Sequence, residues 1–262
     1  MKTRKFCALL ILMLTLQGVT GRAEAQEYIG HAEAFQTAHI HPEVSARIIR
    51  VNFTEGSFVK EGAVLFTLNS AQYSAQVQLR KAQLSHAQAS LDGAKKYLSR
   101  LKASDRRSVP ASDIDTADSE AKQAQAAVDE AKAELKLAQI DLNNTKIYAP
   151  VSGYIGRAEF TKGNYVSPEN VLASIVQTDP ARVSFAVPDR DYLSNKDRAA
   201  EFELILADGS IYPHKAEIDF VNTVMNSETG TITLWLRVPN ENHVLIPGAI
   251  VRVRATYSGA QE

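Results

Sequence analysis

The sequence predicts an α+β protein of three parts: a small β-sandwich with two halves that are separated in the chain, a long antiparallel helical hairpin between those halves, and a small β-barrel after them. Three observations lead to this prediction. A β-type pattern occurs twice, heptads of apolar residues occupy the stretch between the two copies, and short apolar segments separated by turn residues follow the second copy. Because the heptads lie between the two copies, we expect the hairpin to be inserted into the sandwich and the barrel to follow both.

The internal repeat is the strongest of these signals. Residues 44–69 align without gaps on residues 151–176 at a constant offset of 107, with ten identities in 26 positions. Gly56 and Gly163 occupy equivalent turns, where we expect a positive φ angle that other residues resist. A single copy cannot bury its apolar face, so we expect the two copies to pack on each other. The residues expected to form this sandwich are Gly56, Val59, Gly62, Leu65, Gly153, Gly163, Val166 and Leu172.

Heptads predict two helices between the halves, within residues 70–146. Apolar residues follow one another in steps of three and four from Ile114 to Leu142, and again from Leu84 to Leu101. We expect helices over about residues 71–103 and 113–144, each roughly 50 Å long. Ser112 followed by Asp115 resembles a capping box at the start of the second helix.

The charges of the two helices favour an antiparallel hairpin. Both helices leave and rejoin the same sandwich, and the first carries a net charge of +5 while the second carries −5. Exposed ion pairs contribute only about 0–1 kcal/mol each, so these charges select the pairing more than they stabilise it.

Strand signals dominate the rest of the chain. We expect strands over 183–187, 202–206, 212–220, 231–238 and 249–257, with a hairpin turn at Asp208-Gly209. The predicted domains are a sandwich of residues 42–69 and 147–177, a hairpin of residues 70–146, a barrel of residues 27–41 and 178–258, and a tail of residues 259–262.

The N-terminus has the pattern of a secretory signal peptide over residues 1–25. Positive residues precede an apolar run from Phe6 to Leu16, and Ala23-Glu24-Ala25 fits a cleavage site. The run is too short to span a bilayer. Cleavage of the signal peptide removes Cys7, the only cysteine, so the chain after residue 25 can form no disulfide and carries no thiolate. It also takes away four of the 29 positive and one of the 30 negative charges. The resulting net charge of −4 disfavours nucleic-acid binding.

Five motifs together resemble the membrane fusion proteins, or periplasmic adaptors, of resistance-nodulation-division (RND) tripartite efflux pumps. Two are similar to the lipoyl-like first half, one to the second half and two to the ends of the barrel in that family. They are PEVSARI (42–48), EGSFVKEG (55–62), TKIYAPVSGYIG (145–156), DPARVSFAVP (179–188) and LIPGAIVRV (245–253). The resemblance covers nearly the whole chain after residue 25, and it describes the sandwich as lipoyl-like.

The resemblance implies a function as well as a fold. It implies a periplasmic adaptor that links an inner-membrane RND transporter to an outer-membrane channel and associates into a ring-like homo- or hetero-oligomer. The alternatives are an adaptor of an ABC exporter and a structural envelope protein without a transport role. Since only four residues follow the barrel, we expect no membrane-proximal domain.

The same resemblance places the channel contact at the hairpin tip. An Arg, a Leu and a Ser are spaced along the tip in that family, whereas here the spacing differs and Pro110 occupies the place expected for the serine. The residues expected to contact the channel are Arg100, Leu101, Arg106, Arg107, Val109 and Ser112.

No motif predicts catalysis or a cofactor. The sequence contains no phosphate-binding loop, nucleophile elbow or zinc-protease helix. A lipoate or biotin carrier needs a lysine at the turn that joins the halves, and the hairpin occupies that turn. His39 and His41 would share one strand face, where two imidazoles suit a metal, but a solvated edge is the preferred interpretation. A single methionine after residue 25, Met225, disfavours a methionine-rich copper site. We therefore expect no enzyme, cofactor or metal site.

Overall fold

The computed structural model describes residues 24–104 and 109–258, which form two compact units. Among the described residues, the barrel unit contains 24–33, 182–239 and 248–258. The sandwich unit contains residues 34–181 and 240–247. In the part of the chain that is described, no helix is long and apolar enough to span a membrane.

Short strands form the sandwich unit, joined by the ends of two longer strands. The short strands are β2 (Ala46–Val51), β3 (Phe58–Val59), β4 (Val64–Leu68), β5 (Lys146–Tyr148), β6 (Gly153–Ile155) and β7 (Tyr165–Val166). The longer ones are β1 (Glu24–Ile40) and β8 (Ala173–Pro188). One sheet has the order β5-β4-β2-β7, and β6 pairs with both β3 and β8.

The two halves of the sandwich exchange strands. β3 of the first half pairs with β6 of the second, and β7 of the second half pairs with β2 of the first. The hydrogen bonds repeat the symmetry of the sequence: the Gly56 amide donates to the Ile155 carbonyl at 2.9 Å, and the Gly163 amide donates to the Ile48 carbonyl at 2.9 Å. Each half is therefore completed by the other, so neither has its full set of strand pairs alone.

One hydrophobic core lies between the exchanged halves. Val59, Leu65, Val166 and Leu172 are all buried in it, at equivalent positions of the two copies. Gly56 and Gly163 have φ angles of 76° and 100°, as expected from the sequence, and Gly62 also has a positive φ. Glycine is needed at position 153 for a different reason: a Cβ atom there would lie 2.5 Å from the Val176 carbonyl oxygen. The close approach of β6 to β8 requires glycine at this position.

The structure differs from the predicted domain boundaries in three places. Residues 34–41, 240–247 and 178–181 were all assigned to the barrel, but they belong to the sandwich unit. The first segment belongs there because Ile40 packs in the sandwich core. The second belongs there because Asn240 is fully buried and its side-chain amide donates to the carbonyls of Thr178 at 2.8 Å and Leu245 at 3.0 Å.

The hairpin consists of helices α1 (Ala71–Ala103) and α2 (Ala111–Asn143). The predicted heptad positions form the face that packs, with Leu91, Ala117, Val128 and other seam residues buried and the remainder half-buried. The predicted capping box is wrong. α2 begins two residues earlier than expected, its N-cap is Pro110 with φ −60° and ψ 143°, and Ser112 lies inside the first turn. Proline is tolerated at this position because it has no backbone N–H, and the first amides of a helix have no intrahelical acceptor.

The barrel unit adds five elements to the ends of β1 and β8: α3 (Asp189–Asn195), β9 (Ala199–Ile205), β10 (Glu217–Val221), β11 (Thr231–Val238) and β12 (Ile250–Ser258). Its strands have the order β10-β11-β8-β1-β12-β9. The predicted turn at Asp208-Gly209 is confirmed, with a φ of 86° at the glycine. The single strand expected over 212–220 is replaced by isolated bridges at Ile211 and Ala216 followed by β10, and helix α3 was not predicted.

A buried carboxylate joins three strands of the barrel. The Asp219 side chain lies between Arg182, whose Nη2 is 2.6 Å from Oδ2, and Arg237, which also donates to it. Burial would raise the pKa of Asp219, but the hydrogen bonds and charges of Arg237 and Arg182 outweigh burial and hold the pKa below its usual value. The carboxylate therefore stays ionised, and its contribution to stability is present above about pH 4 and is lost as the pH falls further.

Candidate functional site

The hairpin is fastened to the sandwich at both of its helix ends. The Tyr73 hydroxyl on α1 donates to the Ser45 carbonyl at 3.0 Å, and the Asn144 amide after α2 donates to the Glu43 carboxylate at 2.6 Å. Thr145 is buried, and its carbonyl accepts a hydrogen bond from the Leu68 amide at 2.8 Å. Because the first turn of α1 and the residues that follow the last turn of α2 are both bonded to the sandwich, the base of the hairpin has a defined direction.

Polar contacts join α1 and α2 along the hairpin. Arg80 lies 2.8 Å from Glu134 near the base. Further out, the Lys95 ammonium donates to the Gln125 amide oxygen at 3.3 Å. The Arg80–Glu134 pair agrees with the predicted basic first helix and acidic second helix, and both contacts join residues that the antiparallel arrangement brings side by side.

Four of the six expected channel-contact residues are described. Arg100 and Ser112 are exposed, whereas Leu101 and Val109 are half-buried. Arg106 and Arg107 lie outside the described residues. The structure therefore brings the ends of α1 and α2 together at one tip, with Arg100 and Leu101 in the last turn of α1 and Ser112 in the first turn of α2.

An ion-pair cluster just below the tip was not predicted as a unit. Asp118 on α2 lies 3.3 Å from Lys102 on α1 and 2.8 Å from Lys122 on its own helix. Hydrogen bonds from Lys122 and then Lys102 hold the pKa of Asp118 below its usual value. The heptad pattern could have predicted this cluster, because Lys102, Asp118 and Lys122 each directly follow a seam residue. The cluster therefore bridges α1 and α2 directly below the tip.

The outer surface of the hairpin carries scattered apolar side chains. Tyr97 is exposed near the tip, with the Arg100 guanidinium carbon 6.0 Å from its ring centroid. Leu137 and Ile140 are exposed one turn apart on the side of α2 that faces away from the seam, and Leu79 is exposed on α1. These side chains are not covered by the partner helix of the hairpin, so they are available for contacts with other helices.

The two histidines singled out in the sequence have hydrogen-bond partners on the sandwich. His39 Nδ1 lies 2.9 Å from Ser174 Oγ, and His41 Nδ1 lies 3.2 Å from the Pro168 carbonyl oxygen. Both line a cavity of about 380 Å³ at the base of the hairpin together with Glu43 and Lys146. Among residues 24–104 and 109–258, no group of three or more His, Cys, Asp or Glu side chains is placed to hold a metal ion.

The fold defines a class of protein in which a strand-exchanged sandwich carries a helical hairpin about 50 Å long and the same chain forms a second β unit. The chain belongs to the RND membrane fusion protein (MFP) family. Residues 36–178 match the family model "RND MFP, barrel-sandwich hybrid domain", and residues 180–258 match "RND MFPs, beta-barrel domain".

Curated relatives include named efflux-pump subunits. The chain is 33% identical over 242 residues to the multidrug efflux pump subunit AcrA of Escherichia coli K12, a match that covers 87% of this chain and 61% of AcrA. It is 30% identical over 242 residues to the efflux pump periplasmic linker BepD of Brucella suis, with 86% and 61% covered. The chain thus spans about three fifths of the length of these relatives.

Solved structures share the fold at low sequence identity. A MacA–MexA chimeric protein containing the Pseudomonas aeruginosa MexA α-hairpin domain superposes with a TM-score of 0.69 at 20% identity, covering 91% of this chain and 84% of the chimera. The membrane fusion protein Spr0693 of Streptococcus pneumoniae gives 0.68 at 14% identity, covering 90% and 100%. Both agree with the predicted order of sandwich, hairpin and barrel.

Proposed function

We propose that the chain is a periplasmic adaptor that joins an inner-membrane RND transporter to an outer-membrane channel for the export of drugs or other small molecules. The observation that carries the proposal is the hairpin of an RND membrane fusion protein, fastened at its base and closed by an ion-pair cluster below its tip. The names of AcrA and BepD support efflux, and the family models favour an RND transporter over an ABC exporter.

The proposal includes export to the periplasm. Residues 1–25 have the composition of a cleaved signal peptide, and the relative BepD is named a periplasmic linker. N-terminal sequencing of the protein from a periplasmic extract is expected to find Gln26 as the first residue. A protein that retains Met1 would contradict this part of the proposal.

We further propose that the hairpin tip contacts the channel. In the sequence, Arg106 and Arg107 lie between the exposed Arg100 and the half-buried Val109. Leu101, beside Arg100, is also half-buried. Planar guanidinium groups suit carboxylates and backbone carbonyls, and Val109 supplies a small apolar anchor. Pro110 restricts the loop and so lowers the entropy that binding costs.

Reversing the tip charges tests this contact. The double substitution Arg106→Glu and Arg107→Glu is expected to weaken binding to the channel by about tenfold or more, because interface arginines are frequent hot spots. Drug susceptibility of cells and site-specific cross-linking to the channel measure the effect. Protein level and cross-linking to the transporter are expected to stay unchanged.

The matched control reverses two lysines of helix α1. Lys81→Glu and Lys96→Glu make the same change of charge at exposed positions of α1 away from the tip. This control is expected to retain channel cross-linking. Equal losses in both variants would assign the effect to the overall charge of the hairpin, and normal susceptibility in the tip variant would show that the tip is not the contact.

The opposite charges of the two helices support association of adaptor copies. When hairpins lie side by side in the same direction, the acidic outer face of α2 in one copy faces the basic outer face of α1 in the next, and Leu137 and Ile140 lie on that face of α2. The samples cross-linked for the channel experiment also reveal contacts between adaptor copies. Adaptor–adaptor cross-links are expected to decrease as salt rises, because exposed charges are screened; the absence of such cross-links at low salt would contradict self-association.

A further inference from the structure

The barrel unit contains a crevice between β9 and β10, the two strands at opposite ends of its strand order. An isolated bridge joins β9 to the residue before β10, where the Ala216 amide donates to the Phe202 carbonyl at 3.2 Å. Beyond this bridge, Ala200 of β9 and Val221 of β10 line a cavity of about 120 Å³. The seam of the barrel is therefore also an entrance toward its core.

The wall of this cavity is apolar and well ordered by packing. Val187, Phe202 and Leu234 contribute to it from three different strands, and all three are buried. An apolar cavity of about 150 Å³ in another protein takes up benzene. The crevice in this barrel, at a similar size, has room for one aromatic ring or a short alkyl chain.

The rim of the cavity carries two positive charges. Lys196 is exposed, and Arg198 is half-buried. The Arg198 side chain has a defined position, since its Nη1 donates to Asn195 Oδ1 at 2.8 Å and its guanidinium carbon lies 5.6 Å from the Tyr257 ring centroid. Asn195 is itself buried and donates to the Asp191 carbonyl at 2.9 Å.

Asp191, whose charge acts on Tyr257 of the cavity wall, does not itself line the cavity. Burial and then the charge of Asp191 raise the pKa of the Tyr257 hydroxyl, against opposing contributions from Tyr28 and Arg198. Tyr257 is therefore neutral at physiological pH. The described side chains that line the cavity include two cations and no carboxylate, so the local charge complements an anion.

We propose that this crevice is a binding site for a small amphipathic anion, a carboxylate carried on a single ring or a chain of about six carbons. The apolar body occupies the space between Phe202, Leu234 and Val221, where it leaves water. The carboxylate remains at the rim beside Arg198 and Lys196, where charge-assisted hydrogen bonds are available. This site does not depend on the proposed adaptor function, because it is a property of the barrel unit.

Benzoate and its neutral isostere benzamide test the proposal on the full-length protein after residue 25. In methyl-detected NMR titrations, benzoate is expected to give saturable shifts at the methyl groups of Val187, Val221 and Leu234. Its affinity is expected to exceed that of benzamide by about fivefold. Arg198→Gln is expected to weaken benzoate binding by about fivefold and Lys196→Gln by about twofold, with little change for benzamide.

Two further variants keep the test decisive. Ala200→Leu fills the entrance and is expected to abolish the shifts for both probes, while Lys162→Gln, an exposed lysine of the sandwich unit, is expected to leave them unchanged. If Arg198→Gln fails to fold, Lys196→Gln and Ala200→Leu decide. Equal affinity for benzoate and benzamide, or the absence of shifts at these methyl groups, would overturn the proposal whether or not drug export depends on the hairpin tip.

Discussion

Replacing Leu65 with aspartate is expected to unfold the sandwich unit. The Leu65 side chain is 0% exposed in the core shared by the two exchanged halves. The substitution removes an apolar burial of about 1.5–3 kcal/mol and places a carboxylate where no water reaches it, which costs several kcal/mol more. That sum is comparable to the whole stability of a small domain, about 5–15 kcal/mol. Circular dichroism and urea denaturation measure the loss of the cooperative transition.

The control for Leu65 is the same substitution at an exposed leucine. Leu137 on α2 is 63% exposed and lies away from the helix seam. Leu137→Asp is expected to change the free energy of unfolding by no more than about 0.5 kcal/mol. A Leu65→Asp protein with a normal urea midpoint would contradict the assignment of this residue to a shared core.

Removing the hairpin is expected to abolish export but leave the sandwich folded. Deletion of residues 72–143 leaves two ends that are already neighbours, because β4 and β5 pair at Thr67 and Lys146 and the Leu68 amide donates to the Thr145 carbonyl. A short Gly/Ser turn can therefore close the gap. The strand exchange between β2, β3, β6 and β7 does not pass through the hairpin. Circular dichroism and drug susceptibility measure the two expected results separately.

A shortened hairpin separates reach from folding. Removing one heptad from each helix, residues 85–91 and 124–130, retains the base, the tip and the Arg80–Glu134 and Lys102–Asp118 pairs, and shortens the hairpin by about 10 Å. This variant is expected to fold and to lose export if the length of the hairpin determines its function. If the full deletion gave an unfolded protein, the two halves would depend on the hairpin, and the interpretation of the repeat would be wrong.

Periodicity explains why so much of this fold is evident in the sequence. The offset of 107 residues predicts two equivalent halves, and the structure places Gly56 with Gly163 and Leu65 with Leu172 at matching positions. The steps of three and four residues predict the buried seam of the hairpin, and the opposite charges predict pairs such as Arg80 with Glu134. Each of these signals is carried by residues close together in the chain or by repetition of a local pattern.

Other features depend on contacts between residues that are far apart. The exchange that pairs Val59 with Gly153, the burial of Asn240 in the sandwich unit and the bridge between Phe202 and Ala216 have no local pattern in the sequence. A strand pattern specifies which face is buried but not which strand lies beside it, since many neighbours satisfy the same alternation. Only packing of the complete chain selects among them, and that selection created the shared core and the crevice in the barrel.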